Sequence, residues 1–285
     1  MIHAIAHPTD FSPEGLVAFE HALRLALVNR CRLDILHVHT PGREDDWDRF
    51  PHVREVLQRW GFLEPGASAE EILAKTGVEV RKIEIRDSEA YEGLSRFMQR
   101  HRPDLIVMAS HGRAGLSRWV HPSVYAEVAY DRSIPTLIFG LSARPFVDSA
   151  SGRIDLKTVL VPVDHDPDPQ GGVAMLEGLM DGLDVELDFL HVGANAPVVL
   201  DGDEKQRAVR AIEGSVIETI LDQARQASVI AMPMAGVHGL LDVIRGSTTE
   251  RVVHEVTCPV LVLPAVSLLV TPPITRTSMN ISAQA

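Results

Sequence analysis

Cysteine is scarce in this sequence, and long apolar runs are absent. Of its 285 residues two are cysteine, Cys31 and Cys258, and they form no closely spaced pair. This excludes a disulfide framework and favours a reducing compartment. No stretch reaches the roughly 18 apolar residues of a membrane-spanning helix, and the first residues lack the basic and apolar regions of a signal peptide. We therefore expect a cytoplasmic protein with no membrane partner.

Basic residues are also in short supply. The sequence has 27 Lys and Arg against 39 Asp and Glu, which gives a formal net charge of −12 at pH 7. Nucleic acids and anionic membranes favour clustered Lys and Arg, and no basic cluster stands out. The charge therefore excludes nucleic acid as the general partner and predicts a soluble, acidic protein.

What the sequence does contain is an internal duplication. Pro8-Thr9-Asp10 returns as Pro162-Val163-Asp164, and the segment LDILHV at 33–38 returns as LDFLHV at 187–192. The aspartate that ends the first segment and the histidine inside the second stand the same distance apart in both copies. Such a match predicts two related domains in one chain.

The hydrophobic patterns predict an α/β fold. Short apolar runs alternate with helical patterns, which is typical of a mostly parallel sheet with right-handed crossovers. We predict two tandem Rossmann-like domains, each a mostly parallel five-stranded sheet flanked by helices. The predicted division is domain 1 at 1–140, a linker at 141–155, domain 2 at 156–264 and a C-terminal tail at 265–285. Because the later landmarks of the repeat are offset by less than the early ones, domain 1 contains an extra helical segment, placed at about 41–76, which we expect to be exposed.

Candidate binding residues gather where the predicted strands end. Ligands of parallel α/β sheets bind beyond the carboxyl ends of the strands, where strand order reverses. Here a carboxylate follows the first strand, an apolar residue ends the second, a glycine loop follows the fourth, and a serine opens the next helix. A carboxylate suits a ribose or base, an apolar strand end suits a base, and N–H groups at a helix start suit phosphates. The candidates are Pro8, Asp10, Val38, Met108, Ala109, Gly112, Arg113, Gly115 and Ser123 in the first copy, and Asp164, Val192, Gly236, Gly239, Gly246 and Ser247 in the second.

With these motifs the chain resembles the universal stress protein family, as a tandem two-domain member. The segments SHGRAGLS at 110–117 and CPVLV at 258–262 carry the resemblance most specifically. Nucleotide-binding members of that family carry a glycine, two residues, a glycine, nine residues, then glycine and Ser or Thr. The pattern falls on Ala109, Gly112, Pro122 and Ser123 in the first copy, and on Pro233, Gly236, Gly246 and Ser247 in the second. Each copy therefore departs from the full pattern.

The resemblance implies both a fold and a function. The fold is a Rossmann-like sandwich of the adenine nucleotide alpha hydrolase type that pairs through its last strand. The function is stress-response regulation with ATP or AMP, with or without Mg²⁺, bound in at least one domain and without well-defined catalysis. Two domains in one chain would mimic the family dimer. We expect the tandem chain to form a homodimer and to contact a protein partner that the sequence does not identify.

Structural interpretations of the same residues stay open at this point. Asp10 and Asp164 can cap the next helix, and the glycines can serve only to turn the chain. The chain is then a scaffold or interaction protein with degenerate pockets. We identify no catalytic residues, since no Ser-His-Asp order or acid and base pair stands out, although slow ATP hydrolysis is left open. We also expect no metal site, because the histidines near this edge fall in no recognised ligand spacing. These are His7, His37, His39, His111 and His121.

Overall fold

The computed structural model describes residues 2–39, 47–110, 134–233 and 248–264. Strands and helices alternate in both halves. The first half contains β1 (Ala4–Pro8), α1 (Pro13–Asn29), β2 (Arg32–His39), a 3-10 turn (Trp47–Arg49), α2 (Val53–Arg59), α3 (Ala69–Thr76), β3 (Val80–Arg86), α4 (Ala90–His101), β4 (Leu105–Ala109) and β5 (Thr136–Phe139). The second half contains β6 (Thr158–Pro162), α5 (Gln170–Met180), β7 (Glu186–Val192), β8 (Val199–Leu200), β9 (Gln206–Arg207), β10 (Val209–Ile212), α6 (Val216–Ala224), β11 (Val229–Pro233), α7 (Thr248–Glu255) and β12 (Val260–Leu263).

The two halves share one sheet. Its ten strands follow the order β10-β7-β6-β11-β12-β5-β4-β1-β2-β3, and β8 and β9 form a separate two-stranded ribbon. Neighbouring strands run parallel except at the centre, where β5 and β12 pair antiparallel with Leu137 opposite Leu261. The predicted class, α/β with five mostly parallel strands in each half, is confirmed. The halves join through their last strands, as the resemblance implied.

Strand order reverses once within each half. In the first half the chain builds β1, β2 and β3 towards one edge and then returns to place β4 on the other side of β1. In the second half β6 lies in the same way between β7 and β11. Connections that leave two adjacent parallel strands in opposite directions open a crevice beyond their carboxyl ends. The fold therefore contains one such crevice position between β1 and β4 and another between β6 and β11.

Apolar layers cover both faces of the sheet, as a parallel sheet requires. Successive strand residues alternate between the layers: Ile5 packs with Phe19 of α1 on one face, whereas Ala6 packs with Met98 of α4 on the other. The first layer also includes residues of α2 and α5, and the second includes residues of α6 and α7. Within the described part of the chain, every helix is too short or too polar to cross a membrane.

The insert in the first half is more deeply packed than predicted. Its helices were expected to be exposed, but Phe50 and Leu57 are fully buried and Trp60 is only 7% exposed. These side chains belong to the same apolar layer as α1, and Arg59 pairs with Glu20 of that helix. The expectation of an exposed insert was therefore wrong, because its apolar residues cover α1 and are shielded from water by it.

The segment predicted as a linker, residues 141–155, contacts both halves. Phe146 and Val147 are buried, and their backbone N–H groups both donate to His21 Nε2 at 3.0 Å. On the other side, Arg144 Nη2 donates to the carbonyl oxygens of Arg225 at 2.7 Å and Ala227 at 3.2 Å. The connection is held in place by polar contacts with α1 of the first half and with the segment that follows α6 in the second.

Candidate functional site

The same backbone frame is built twice at the carboxyl ends of the strands. Thr9 N donates to Leu36 O at 2.8 Å in the first half, and Val163 N donates to Leu190 O at 2.8 Å in the second. A histidine ring then closes each frame. His37 Nδ1 lies 2.9 Å from Thr9 O, and His191 Nδ1 lies 3.1 Å from Val163 O. Since a carbonyl oxygen only accepts, both rings donate through Nδ1.

In the first half, Asp10 supports the start of α1. Its Oδ1 accepts from Ser12 N at 3.1 Å and from Ser12 Oγ at 2.6 Å. Ser12 in turn accepts from Gly15 N at 3.0 Å and caps the helix, with Pro13 at its first position. Ser12, and not Asp10, is therefore the residue that caps the helix, and Asp10 acts by orienting Ser12 where the chain leaves β1.

Aromatic rings pack beside this frame. Phe11, which has a φ of 62°, lies with its ring centroid 4.1 Å from that of His37. Phe50 of the insert completes the cluster at 5.4 Å from Phe11, and Trp47 stacks on Phe50 at 5.3 Å. The Arg49 guanidinium lies 4.7 Å above the Phe11 ring. The insert thus brings an aromatic and cationic surface to the carboxyl end of the first half's sheet.

The crevice position between β1 and β4 is lined by predicted residues. Pro8 and Met108 are buried, whereas Val38 and Ala109 are partly exposed at the ends of their strands. His7 links the two strands, because its Nδ1 donates to Val107 O at 2.8 Å. Burial lowers the pKa of His7 from 6.5 to about 4, so its ring is neutral at pH 7.

The second half presents a different set of side chains at the equivalent place. Asp164 and His165 are exposed and His191 is buried, and each offers a ligand atom within 4.8 Å of those of the other two. The His191 Nδ1 to Asp164 Oδ1 distance is 3.8 Å, and the two imidazole centroids are 5.7 Å apart. Val192, the predicted floor for a base, is partly exposed.

Sequence reasoning assigned no role to His165, named Asp164 as a candidate nucleotide-binding residue, and treated His191 as a landmark of the repeat. The signal for pairing Asp164 with His191 was present in their spacing, since the same distance separates Asp10 from His37. The expectation of no metal site is a prediction from ligand spacing along the chain, and such spacing does not record this convergence. The remaining predicted residues lie outside the described part of the chain, so their roles also stay predictions: Gly112, Arg113, Gly115, Ser123, Gly236, Gly239, Gly246 and Ser247.

Comparison with known proteins extends over most of the chain. A model of the Universal stress protein family matches residues 1–140 and 198–264, which is more than half of the sequence. The match leaves out residues 141–197, the stretch that carries Asp164, His165 and His191. No curated protein matches the chain.

Solved structures match the chain at nearly full length. A universal stress protein from Archaeoglobus fulgidus is 19% identical, with a TM-score of 0.58 over 92% of this chain and 96% of that one. A functionally unknown protein from Pseudomonas aeruginosa is 16% identical, with a TM-score of 0.62 over 92% of each chain. At these identities the similarity shows a shared fold.

Proposed function

Because the chain belongs to the universal stress protein family, we propose that it is a stress-response regulatory protein that binds an adenine nucleotide, ATP or AMP, in at least one half. The observation that carries this proposal is the reversal of strand order between β1 and β4, with Pro8, Val38 and Ala109 at the strand ends beside it. Parallel α/β sheets bind their ligands in such crevices.

The chemistry of each strand end indicates which part of the nucleotide it would bind. Val38 supplies an apolar surface for the base, on the face of the sheet where it packs with the layer that includes α4. The loop that begins after Ser110 contains Gly112 and Gly115, whose N–H groups suit phosphate oxygens because glycine allows the backbone to approach closely. Ser123 would complete the phosphate site, with or without Mg²⁺.

The first half is the better candidate of the two. At the second edge Asp164 is exposed and is followed by Asp166 and Asp168, and these carboxylates would repel a triphosphate. A proline replaces one motif glycine in each half. Pro122 stands directly before Ser123, where a helix start tolerates proline, whereas Pro233 ends β11 at the turn into the loop and removes an N–H donor there. Carboxylate repulsion and a lost donor both weaken phosphate binding, so we propose about one nucleotide per chain.

Matched glycine variants test this assignment. The wild-type protein, Gly112→Val and Gly246→Val would be titrated calorimetrically with ATP, ADP and AMP, with and without Mg²⁺, after a denatured sample has been checked for co-purified nucleotide. We expect saturable binding near one site per chain that Gly112→Val abolishes and Gly246→Val leaves unchanged. Circular dichroism of all three proteins controls for folding.

The opposite result supports a different function. No binding and no released nucleotide in the wild-type protein would contradict the nucleotide proposal, and would favour a scaffold whose pockets are degenerate. We propose no catalytic residue for either function.

A cytoplasmic location and a homodimer of tandem chains are also proposed. The location is supported by the two cysteines, which are buried free thiols. Sedimentation of the purified protein tests the dimer.

A further inference from the structure

We infer that Asp164, His165 and His191 form a binding site for a divalent transition-metal ion such as Zn²⁺, at the carboxyl edge of the second half. The three side chains converge from the loop after β6 and the end of β7, with ligand atoms within 4.8 Å of one another. Two imidazoles and a carboxylate form a donor set that such ions prefer over the all-oxygen sets of Mg²⁺ and Ca²⁺.

His191 is held as a metal ligand would be. It is 6% exposed, and its Nδ1 donates to Val163 O at 3.1 Å. This bond fixes the tautomer and leaves the Nε2 lone pair as the ligand, the arrangement that a carbonyl bonded to the other ring nitrogen imposes on metal-bound histidines. Residue 193 is glycine, and a Cβ there would lie 2.7 Å from His191 Nε2. The glycine therefore keeps room beside the ligand atom.

His165 is oriented in the same manner. Its Nε2 donates to Asn195 O at 2.8 Å, which leaves Nδ1 as the nitrogen that carries a lone pair. The ring stands at 75° to that of His191, with centroids 5.7 Å apart. Each imidazole thus has one nitrogen bonded to a carbonyl and offers the other nitrogen to a shared ion.

Asp164 supplies the charge. Its Oδ1 accepts from His165 N at 2.8 Å, and its side chain is 65% exposed. Tetrahedral ligands at the usual zinc distances of about 2.0–2.2 Å lie roughly 3.3 Å apart. The three residues offer ligand atoms within 4.8 Å of one another, so the side chains of Asp164 and His165, which are exposed, must rotate towards His191 Nε2 to close the site. A bound cation would also offset the repulsion among the neighbouring aspartates.

The first half supplies a natural control. Asp10 and His37 occupy the equivalent places, and His37 makes the equivalent carbonyl bond at 2.9 Å. Phe11 stands where the second half has His165, so the first half lacks the second nitrogen ligand. The stretch with the three ligands also falls in residues 141–197, which the family model does not match. Of the two halves, the second therefore carries the set of two histidines and one aspartate.

The test is a titration of tag-free, chelator-treated protein with Zn²⁺, followed by calorimetry, and with Co²⁺, followed by its visible absorption. We expect one site per chain that Mg²⁺ does not occupy. His165→Ala should weaken binding by at least about tenfold, since losing even a residue that only bonds to a metal ligand has an effect of that size. Because His165 is exposed, this variant should fold normally, which thermal unfolding checks.

Two further variants make the result decisive. His37→Gln removes the equivalent histidine of the first half and should leave the affinity unchanged. Gly193→Ala should weaken binding, since its methyl group would displace the imidazole of His191. Wild-type affinity in His165→Ala, or an equal loss in His37→Gln, would overturn the site. Wild-type affinity in Gly193→Ala would overturn the choice of Nε2 as the ligand. Nucleotide plays no part in these measurements, so they stand apart from the proposed function.

Discussion

The carboxyl edges of the two halves share a backbone and differ in what it carries. In both, a backbone N–H after the first strand bonds to the second strand at 2.8 Å, and a histidine ring bonds back to the loop. In the first half an aromatic ring, Phe11, packs on that histidine, whereas in the second His165 faces it. The comparison teaches that the sheet fixes where side chains converge, and single positions in the loops decide the chemistry.

The insert gives the largest predicted difference between the halves. Phe50 is fully buried between Phe11 and the apolar layer. Phe50→Ala would leave a cavity, so we expect a loss of about 3–5 kcal/mol in the free energy of unfolding, measured by urea denaturation. The neighbouring Trp47 is 49% exposed, and Trp47→Ala should cost less than about 1 kcal/mol. Equal effects of the two variants would show that the insert is not part of the first half's core.

Buried histidines should make the first half more sensitive to acid. His7 and His21 are 0% and 1% exposed, and burial lowers the pKa of each from 6.5 to about 4. The repeat places Val161 and Met175 at the equivalent positions of the second half. Between pH 6.5 and 4 the unfolded chain binds protons that the folded chain does not. Stability is therefore complete above about pH 6.5 and falls as the pH drops towards 4.

The variant His7→Val gives the first half the residue type that the second half has at the equivalent position, Val161. The variant should reduce the acid-induced loss of unfolding free energy by about 3 kcal/mol, which corresponds to a difference of roughly 2.5 between the pKa of His7 in the unfolded and the folded chain. The loss that His21 contributes should remain. Urea denaturation at a series of pH values measures the slope. A slope identical to that of the wild-type protein would contradict the assignment of the acid sensitivity to His7.

An aspartate and arginine pair gives the smallest predicted contrast. Asp34 on β2 is fully buried and accepts from Arg81 Nε at 2.6 Å and from Arg32 Nε at 3.1 Å, whereas Asp188 on β7 is 25% exposed and accepts from Arg210 Nε at 2.7 Å. Losing one partner costs more when the charge left behind is buried, and Arg32 offsets only part of the loss at Asp34. We expect Arg81→Ala to cost about 2 kcal/mol and Arg210→Ala about 1 kcal/mol in unfolding free energy. The reverse order would show that burial does not set the strength of these pairs.

The sequence was a good guide where hydrophobic periodicity decides the structure. Continuous apolar runs predicted the buried strands β4 and β5, and the repeated segments predicted that β2 and β7 are equivalent. It was a poor guide where packing partners are distant. The patterns did not predict β10, an edge strand that exposes Arg210, and they did not show that α2 lies against α1.

The residues of the candidate sites were also predictable where local patterns decide their position, and not where distant contacts do. Asp10, Val38 and Asp164 were found because they end strands, and strand ends meet at a sheet edge whatever the side chains are. The convergence of His165 on His191 was missed, because it depends on how the loop after β6 folds back towards Asn195. That fold is set by tertiary contacts, which local sequence patterns do not record.

The antiparallel join between β5 and β12 has an evolutionary consequence. When two identical subunits meet across a twofold axis, every substitution appears at both sites, so neither can change its chemistry while the other keeps the ancestral one. Here the two halves belong to one chain and have different sequences, so the twofold relation between them is only approximate. The join also points the carboxyl ends of the two halves towards opposite edges of the sheet. Selection could therefore act on one pocket at a time, and Phe11 and His165 are two independent outcomes of that freedom.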